Sequence, residues 1–144
     1  MAEREVSEHQ EALRARGLKA TPQRLTVLAL LERAERPVGI PELRAKTNGK
    51  MLDTVTLYRS LETLFDAELV RKVDLRHGHA DYELVRGDHH HHIICVKCGD
   101  IENIAWCPDD RLKQEVLKSA KRFQTLRDHS LEFFGTCKKC SINR

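Results

Sequence analysis

Twelve residues hold most of this chain's potential for chemistry: Asp88 to Gly99, Asp-His-His-His-His-Ile-Ile-Cys-Val-Lys-Cys-Gly. Four consecutive histidines, His89 to His92, stand two residues ahead of a Cys-x-x-Cys pair, Cys95 and Cys98. A second pair, Cys137 and Cys140, lies near the end of the sequence, with His129 eight residues before it. If the histidine run is extended, successive side chains alternate between its faces. His90 and His92 then point one way and His89 and His91 the other, so one strand can serve two metal sites.

The four cysteines offer a complete thiolate set. Tetrahedral thiolate coordination suits zinc, which has no redox chemistry and no geometry imposed by d-electrons. The two-residue gap lets both sulfurs of a pair reach one ion, and a site with four protein ligands is structural. The pairs are 38 residues apart, so such an ion ties distant segments together. An iron–sulfur cluster and free thiols are the rival readings. Cys107 belongs to neither pair and is expected to be a half-buried bystander, with redox chemistry as the alternative. Neutral imidazoles joined by carboxylates suit iron(II), manganese(II), zinc(II) or nickel(II). A solvated histidine-rich loop competes with that reading, but Glu83, His129 and neighbouring acids are available to complete a site. A terminal purification tag is not the explanation, because the run lies between two apolar segments. His9 is expected at the surface.

Composition narrows the class. The 144 residues allow one ordinary domain or two small ones, and 40% apolar with 33% charged residues is globular rather than disordered. No apolar run reaches membrane length and the start Met-Ala-Glu-Arg-Glu lacks a signal-peptide core, so a cytoplasmic protein is expected, with no membrane partner. Reduced cysteines follow from that compartment. Net charge is only +3, but from Leu13 to Ser60 ten basic residues face four acidic ones. That local excess is compatible with DNA phosphate, or with a solvated helical surface.

The elements that must position these groups can be read in order. Glu3 to Arg16 is helix-compatible and stops at Gly17. Thr21-Pro22 is an N-cap followed by proline at the first helical position, opening a helix with a Leu25, Leu28, Leu31 stripe that ends near Glu35. A short helix over 40–46 precedes a turn-rich break at 47–50. Asp53 caps a helix from Thr54 to Ala67 with Leu57, Leu61 and Leu64 buried and Thr56, Arg59 and Thr63 on another face. Two strands follow, Leu69 to Val73 and Ala80 to Val85, joined through Arg76-His77-Gly78-His79. The pattern predicts an α+β protein whose residues 1–86 form a winged helix-turn-helix; a plain helical bundle is the alternative. Residues 87–144 carry strands at 91–96, 100–104 and 126–134 and an amphipathic helix over about 108–122 with Leu112, Val116 and Ala120 on one face. So small a module requires metal, a second copy, or both.

Thr21-Pro-Gln-Arg-Leu, Thr54-Val-Thr-Leu-Tyr-Arg-Ser-Leu, Tyr82-Glu-Leu, the histidine–cysteine stretch and His129-Ser-Leu-Glu-Phe-Phe-Gly-Thr-Cys, taken together, resemble the ferric uptake regulator superfamily. The resemblance runs through nearly the whole chain in order. It implies a metal-responsive transcription regulator with a DNA-binding winged helix, a small dimerisation domain, and a homodimer on an AT-rich palindromic operator. By position it implies structural zinc at Cys95, Cys98, Cys137 and Cys140, and a regulatory divalent metal in the hinge at Glu83, His90 and His92. A second site at His89, His91, Asp110 and His129 is implied as well. Thr56, Tyr58 and Arg59 fall on the implied recognition helix, and Lys19 matches a minor-groove contact. Two positions depart from the pattern: Pro37 stands where a histidine often joins the hinge site, and Asn103 where an acid is usual. His77, His79 or Glu102 are the nearby substitutes. No cysteine lies between Lys72 and His92, unlike the zinc-sensing branch, and Asn103 argues against peroxide sensing.

The expected function is repression of metal-homeostasis or oxidative-stress genes in response to metal, without a small-molecule substrate. A constitutive, zinc-stabilised DNA-binding regulator is the alternative. A zinc enzyme is disfavoured, because there is no His-Glu-x-x-His helix, nucleophile elbow or phosphate loop.

Overall fold

The computed structural model describes residues 3–47 and 52–142. The break expected at 47–50 therefore lies, beyond Thr47, outside the described residues. The chain divides into two compact units, Met1–Arg86 and Gly87–Arg144. Among the described residues no helix is long and apolar enough to cross a membrane.

The first unit contains α1 (Glu3–Ala15), α2 (Pro22–Ala34), β1 (Val38–Gly39), α3 (Ile40–Lys46), α4 (Thr54–Asp66), β2 (Val70–Asp74) and β3 (Ala80–Leu84). Thr21 accepts the Arg24 N–H at 3.4 Å and Pro22 follows it, so α2 begins where the chain can spare an amide donor. It stops at Glu35, which takes a left-handed conformation (φ 54°) ahead of Pro37. Asp53 caps α4 by accepting the Thr56 N–H at 2.7 Å. Leu57, Leu61 and Leu64 are fully buried, and they meet Leu28, Leu31, Leu43 and Leu13 in one apolar core. Leu25 is only partly buried against it. Burial of each such leucine contributes about 1.5–3 kcal/mol, which is what fixes α4 rather than helical propensity.

His9 is not a surface residue. It lies with Leu13 on the inner face of α1, 9% exposed, with Nε2 2.8 Å from Glu32 Oε2 of α2. The three-stranded sheet has the order β1-β3-β2, antiparallel throughout. β1 escaped the sequence reading because it is two residues long between Pro37 and Pro41. The α2–α3–α4 set followed by the β2–β3 hairpin is a winged helix-turn-helix.

The second unit contains β4 (His91–Cys95), β5 (Ile101–Ile104), α5 (Asp109–Ser119), β6 (Glu132–Gly135) and α6 (Lys138–Ile142). β4 is central, antiparallel to β5 and parallel to β6. The strand expected from Leu126 is shorter, beginning at Glu132. Here the core is thin. Ile94 and Cys95 are the buried apolar residues among those described, and α5 buries none. Its Leu112, Val116, Ala120 stripe is half-covered at best, with Val116 43% exposed.

Candidate metal centres and nucleic-acid face

Cys95 ends β4 and Cys98 follows on a tight turn closed by the Gly99 N–H to the Cys95 carbonyl at 2.9 Å. Gly99 has φ +77°, the left-handed region in which a side chain is strained. Cys137 follows β6, and Cys140 rises one turn later in α6, where the Ser141 N–H bonds the Cys137 carbonyl at 2.9 Å. The parallel pairing of Cys95 with Gly135 brings the two pairs together. All four sulfurs lie within 4.8 Å of one another. Cys98 Sγ is 3.7 Å from Cys137 Sγ, and zinc–sulfur bonds of about 2.3 Å give a tetrahedron with an edge of about 3.8 Å.

The proton distribution fits the same occupant. Backbone N–H groups of Cys137 and Cys98 hold the Cys95 thiol down at about 6. Hydrogen bonds to Cys137 and Cys98 push Cys140 up to about 12. Cys95 is prepared as an anion, while crowding among the sulfurs pushes the Cys98 and Cys140 thiols up. A dication relieves that crowding, so the residues suit structural zinc.

The histidine run divides as alternation requires. The His90 and His92 rings are 5.1 Å apart and those of His89 and His91 4.8 Å apart, each pair edge-on. His89, His91, His129 and Cys107 place one ligand atom each within 4.8 Å of the others. His129 Nε2 is 3.2 Å from His89 Nε2 and 3.2 Å from Cys107 Sγ. Its other nitrogen, Nδ1, is 3.5 Å from Asp109 Oδ1, and Asp109 is also held by Lys113 at 3.0 Å. That Lys113 contact keeps the Asp109 carboxyl below its usual range.

Cys107, not Asp110, completes this group. Pro108 starts α5 and Asp109 and Asp110 are its first residues. Successive helical residues turn by about 100°, so only one of the two acids can face His129, and Asp110 is exposed. Cys107 sits just before the turn begins and is half-buried, with burial raising its thiol. The bystander expectation for Cys107 therefore does not describe its surroundings. The one hint in the sequence was a cysteine directly ahead of a proline-started helix.

Glu83 is buried on β3, opposite Arg71 on β2, and the two form an ion pair. His92 is 2% exposed and pairs in register with Asn103 and Glu132 on its two neighbours. His77 and His79 gather on Asp81. Glu102 is exposed on β5, outside every group of ligand-type side chains among the described residues. In the first unit, the outer face of α4 presents Tyr58, 53% exposed, and Arg59, with Thr56 half-buried beside them. Lys19 is exposed ahead of α2, and its carbonyl accepts from Arg24 at 2.8 Å.

The sequence model described as "Ferric uptake regulator family" matches residues 15–134. The chain belongs to the ferric uptake regulator family. It is 33% identical over 137 residues to the ferric uptake regulation protein of Legionella pneumophila, covering 92% of this chain and 98% of that one. The solved ferric uptake regulator of Francisella tularensis with iron superposes with a TM-score of 0.71 at 30% identity, covering 87% of this chain and 96% of that one. The Helicobacter pylori regulator, described as having three functional metal-binding sites, gives 0.74 at 25% identity, covering 98% and 94%. Family membership makes this a metal-responsive transcription regulator. Pro37 and Asn103 are the two positions at which the sequence resemblance expects other residue types. Neither carries a histidine or acid, and Asn103 stands beside His92 in the β4–β5 register.

Proposed function

We propose that the chain is a homodimeric repressor whose grip on an AT-rich palindromic operator depends on a divalent metal. Residues 1–86 bind DNA, with α4 entering the major groove through Thr56, Tyr58 and Arg59 and Lys19 reaching the minor groove. Residues 87–144 form the dimer. Glu83, His90 and His92 hold the regulatory metal, iron(II), manganese(II), zinc(II) or nickel(II), and His89, His91, Cys107 and His129 hold a second ion with Asp109 orienting His129. Support comes chiefly from one observation: the histidine run splits, with His89 and His91 meeting His129 and Cys107 while His90 and His92 face elsewhere.

Metal switches DNA binding only if it binds one arrangement of the protein more tightly than another. Glu83 belongs to the DNA-binding residues, and His90 and His92 to the dimerising ones. An ion that takes ligands from both therefore favours one placement of the recognition helices, the one spaced for adjacent half-sites. A second reading has a specific basis. Arg71 already neutralises Glu83, and Pro37 and Asn103 supply no further ligand, which favours a constitutive, zinc-stabilised regulator.

Fluorescence anisotropy on an AT-rich palindromic duplex separates the two. The protein is titrated under a mild chelator, then with each of the four metals. Binding that appears with one metal supports the switch and names its effector, whereas equal binding throughout supports the constitutive regulator.

A further inference from the structure

A third gathering of ligand-type side chains lies in the wing and shares no residue with the cysteine set or the histidine run. His77 and His79 sit on the turn between β2 and β3. Asp81 is the second residue of β3, paired with Val73 on one side and Gly39 on the other. The two rings lie 3.9 Å apart. His77 Nε2 is 2.5 Å from Asp81 Oδ2, and His79 Nδ1 is 3.8 Å from Oδ1. One ligand atom from each of the three lies within 4.8 Å of the others.

Asp81 is the telling member. It is 4% exposed, and its Oδ2 has no partner besides the half-exposed His77 ring that pairs with it. A buried carboxylate oxygen left in that state is costly. The neighbouring strand has no room to bring a side chain to the cluster at this point. A Cβ on Gly39 would stand 2.8 Å from Asp81 Oδ1 and 2.8 Å from His79 Cε1, so β1 passes the cluster as bare backbone.

We infer that His77, His79 and Asp81 form a divalent-metal site of their own in the wing. Two imidazoles and one carboxylate are a donor set for zinc(II) or another borderline ion, with the remaining positions open to water. The ion clips the exposed turn to the central strand of its sheet. It also adds two positive charges beside Arg76, on the hairpin that a winged helix presents to DNA phosphate. This inference does not depend on the regulatory role proposed for Glu83, His90 and His92.

The test is a zinc titration of the full chain with its four-cysteine site already filled, followed by calorimetry. Three proteins are compared: the parent, His77→Ala/His79→Ala, and Glu83→Ala/His90→Ala/His92→Ala. The side chains of His77 and His79 are 40% and 51% exposed, so their removal leaves the fold intact, which circular dichroism verifies. The double variant is expected to bind one zinc fewer per chain than the parent, and the triple variant to keep that equivalent. In the parent, the same equivalent is expected to shift the imidazole resonances of His77 and His79. Equal zinc uptake by the parent and the double variant overturns the wing site. So does uptake that leaves both imidazole signals unmoved.

Discussion

Single residues decide which ion each centre prefers. In the proposed second site, a thiolate at Cys107 would make the donors three imidazoles and one sulfur, a softer set than imidazoles with a carboxylate, which favours zinc over manganese. Asp109 stands one step further out: its Oδ1 lies 3.5 Å from His129 Nδ1, on the side of the ring opposite the Nε2 that faces His89 and Cys107. Asp109→Asn is expected to weaken zinc at this site by about 10–100-fold, the usual effect of losing such a partner, while zinc at the four cysteines is unaffected. Competition against a chromogenic chelator measures both, and an unchanged affinity removes Asp109 from the site. Asp110→Asn, by contrast, is expected to change nothing. The ligand types and the alternation of the histidines were legible in the sequence because they depend on two-residue periodicity. The swap of Asp110 for Cys107 was not, because it depends on where the first turn of α5 begins. His9 was misplaced for a different reason. Its spacing from Leu13 and Val6 matches an apolar stripe, but its residue type argued for water.

The helices carry predictions of another kind. Leu61 is fully buried at the centre of α4, and Leu61→Ala is expected to destabilise the first unit by about 2–5 kcal/mol, read from urea unfolding. Arg59→Ala lies on the opposite, exposed face and is expected to leave stability unchanged while weakening operator binding by about 1–3 kcal/mol. Unaltered affinity would show that α4 is not the reading helix. Arg36 holds Glu42 through two hydrogen bonds, 3.1 and 2.6 Å, bracing the short passage through β1 into α3. The Arg36 hydrogen bond lowers the Glu42 carboxyl below the ordinary glutamate value of 4.5. Because the folded value is the lower one, its stabilisation is complete above pH 4.5 and disappears as pH falls through the depressed folded value. Both side chains are more than a third exposed, so Glu42→Gln is expected to cost about 0.5 kcal/mol at pH 7 and nothing once the carboxyl is protonated. Thermal unfolding at the two pH values checks the sign. Caps and leucine stripes made α2 and α4 readable in advance. β1 was not readable, since its pairing with β3 is a long-range event with no local periodicity.

At the scale of the molecule, the two units hold themselves together differently. The first has a continuous leucine core, while the second buries little and leaves Trp106 and Phe123 63% and 69% exposed. Stripping zinc with a strong chelator is therefore expected to abolish the folding of residues 87–144 and leave the winged helix with its own melting transition. Trp106 is the sole tryptophan, so its emission reports on the second unit alone. It is expected to shift to the blue as dilute protein is concentrated into dimers, and a concentration-independent spectrum would count against an interface there. The position of β4 between β5 and β6 has a final consequence. Within a run of identical residues, sliding the strand by one place puts an imidazole where an imidazole was everywhere but at the end of the run, so the histidines sense their own frame only weakly. Cys95, on the same strand, senses it strongly. A slide by one residue turns its sulfur away from Cys98, Cys137 and Cys140, and the four-cysteine knot no longer closes. The zinc knot is thus a frame-keeper, locking a comb of interchangeable teeth so that each one meets its own partner.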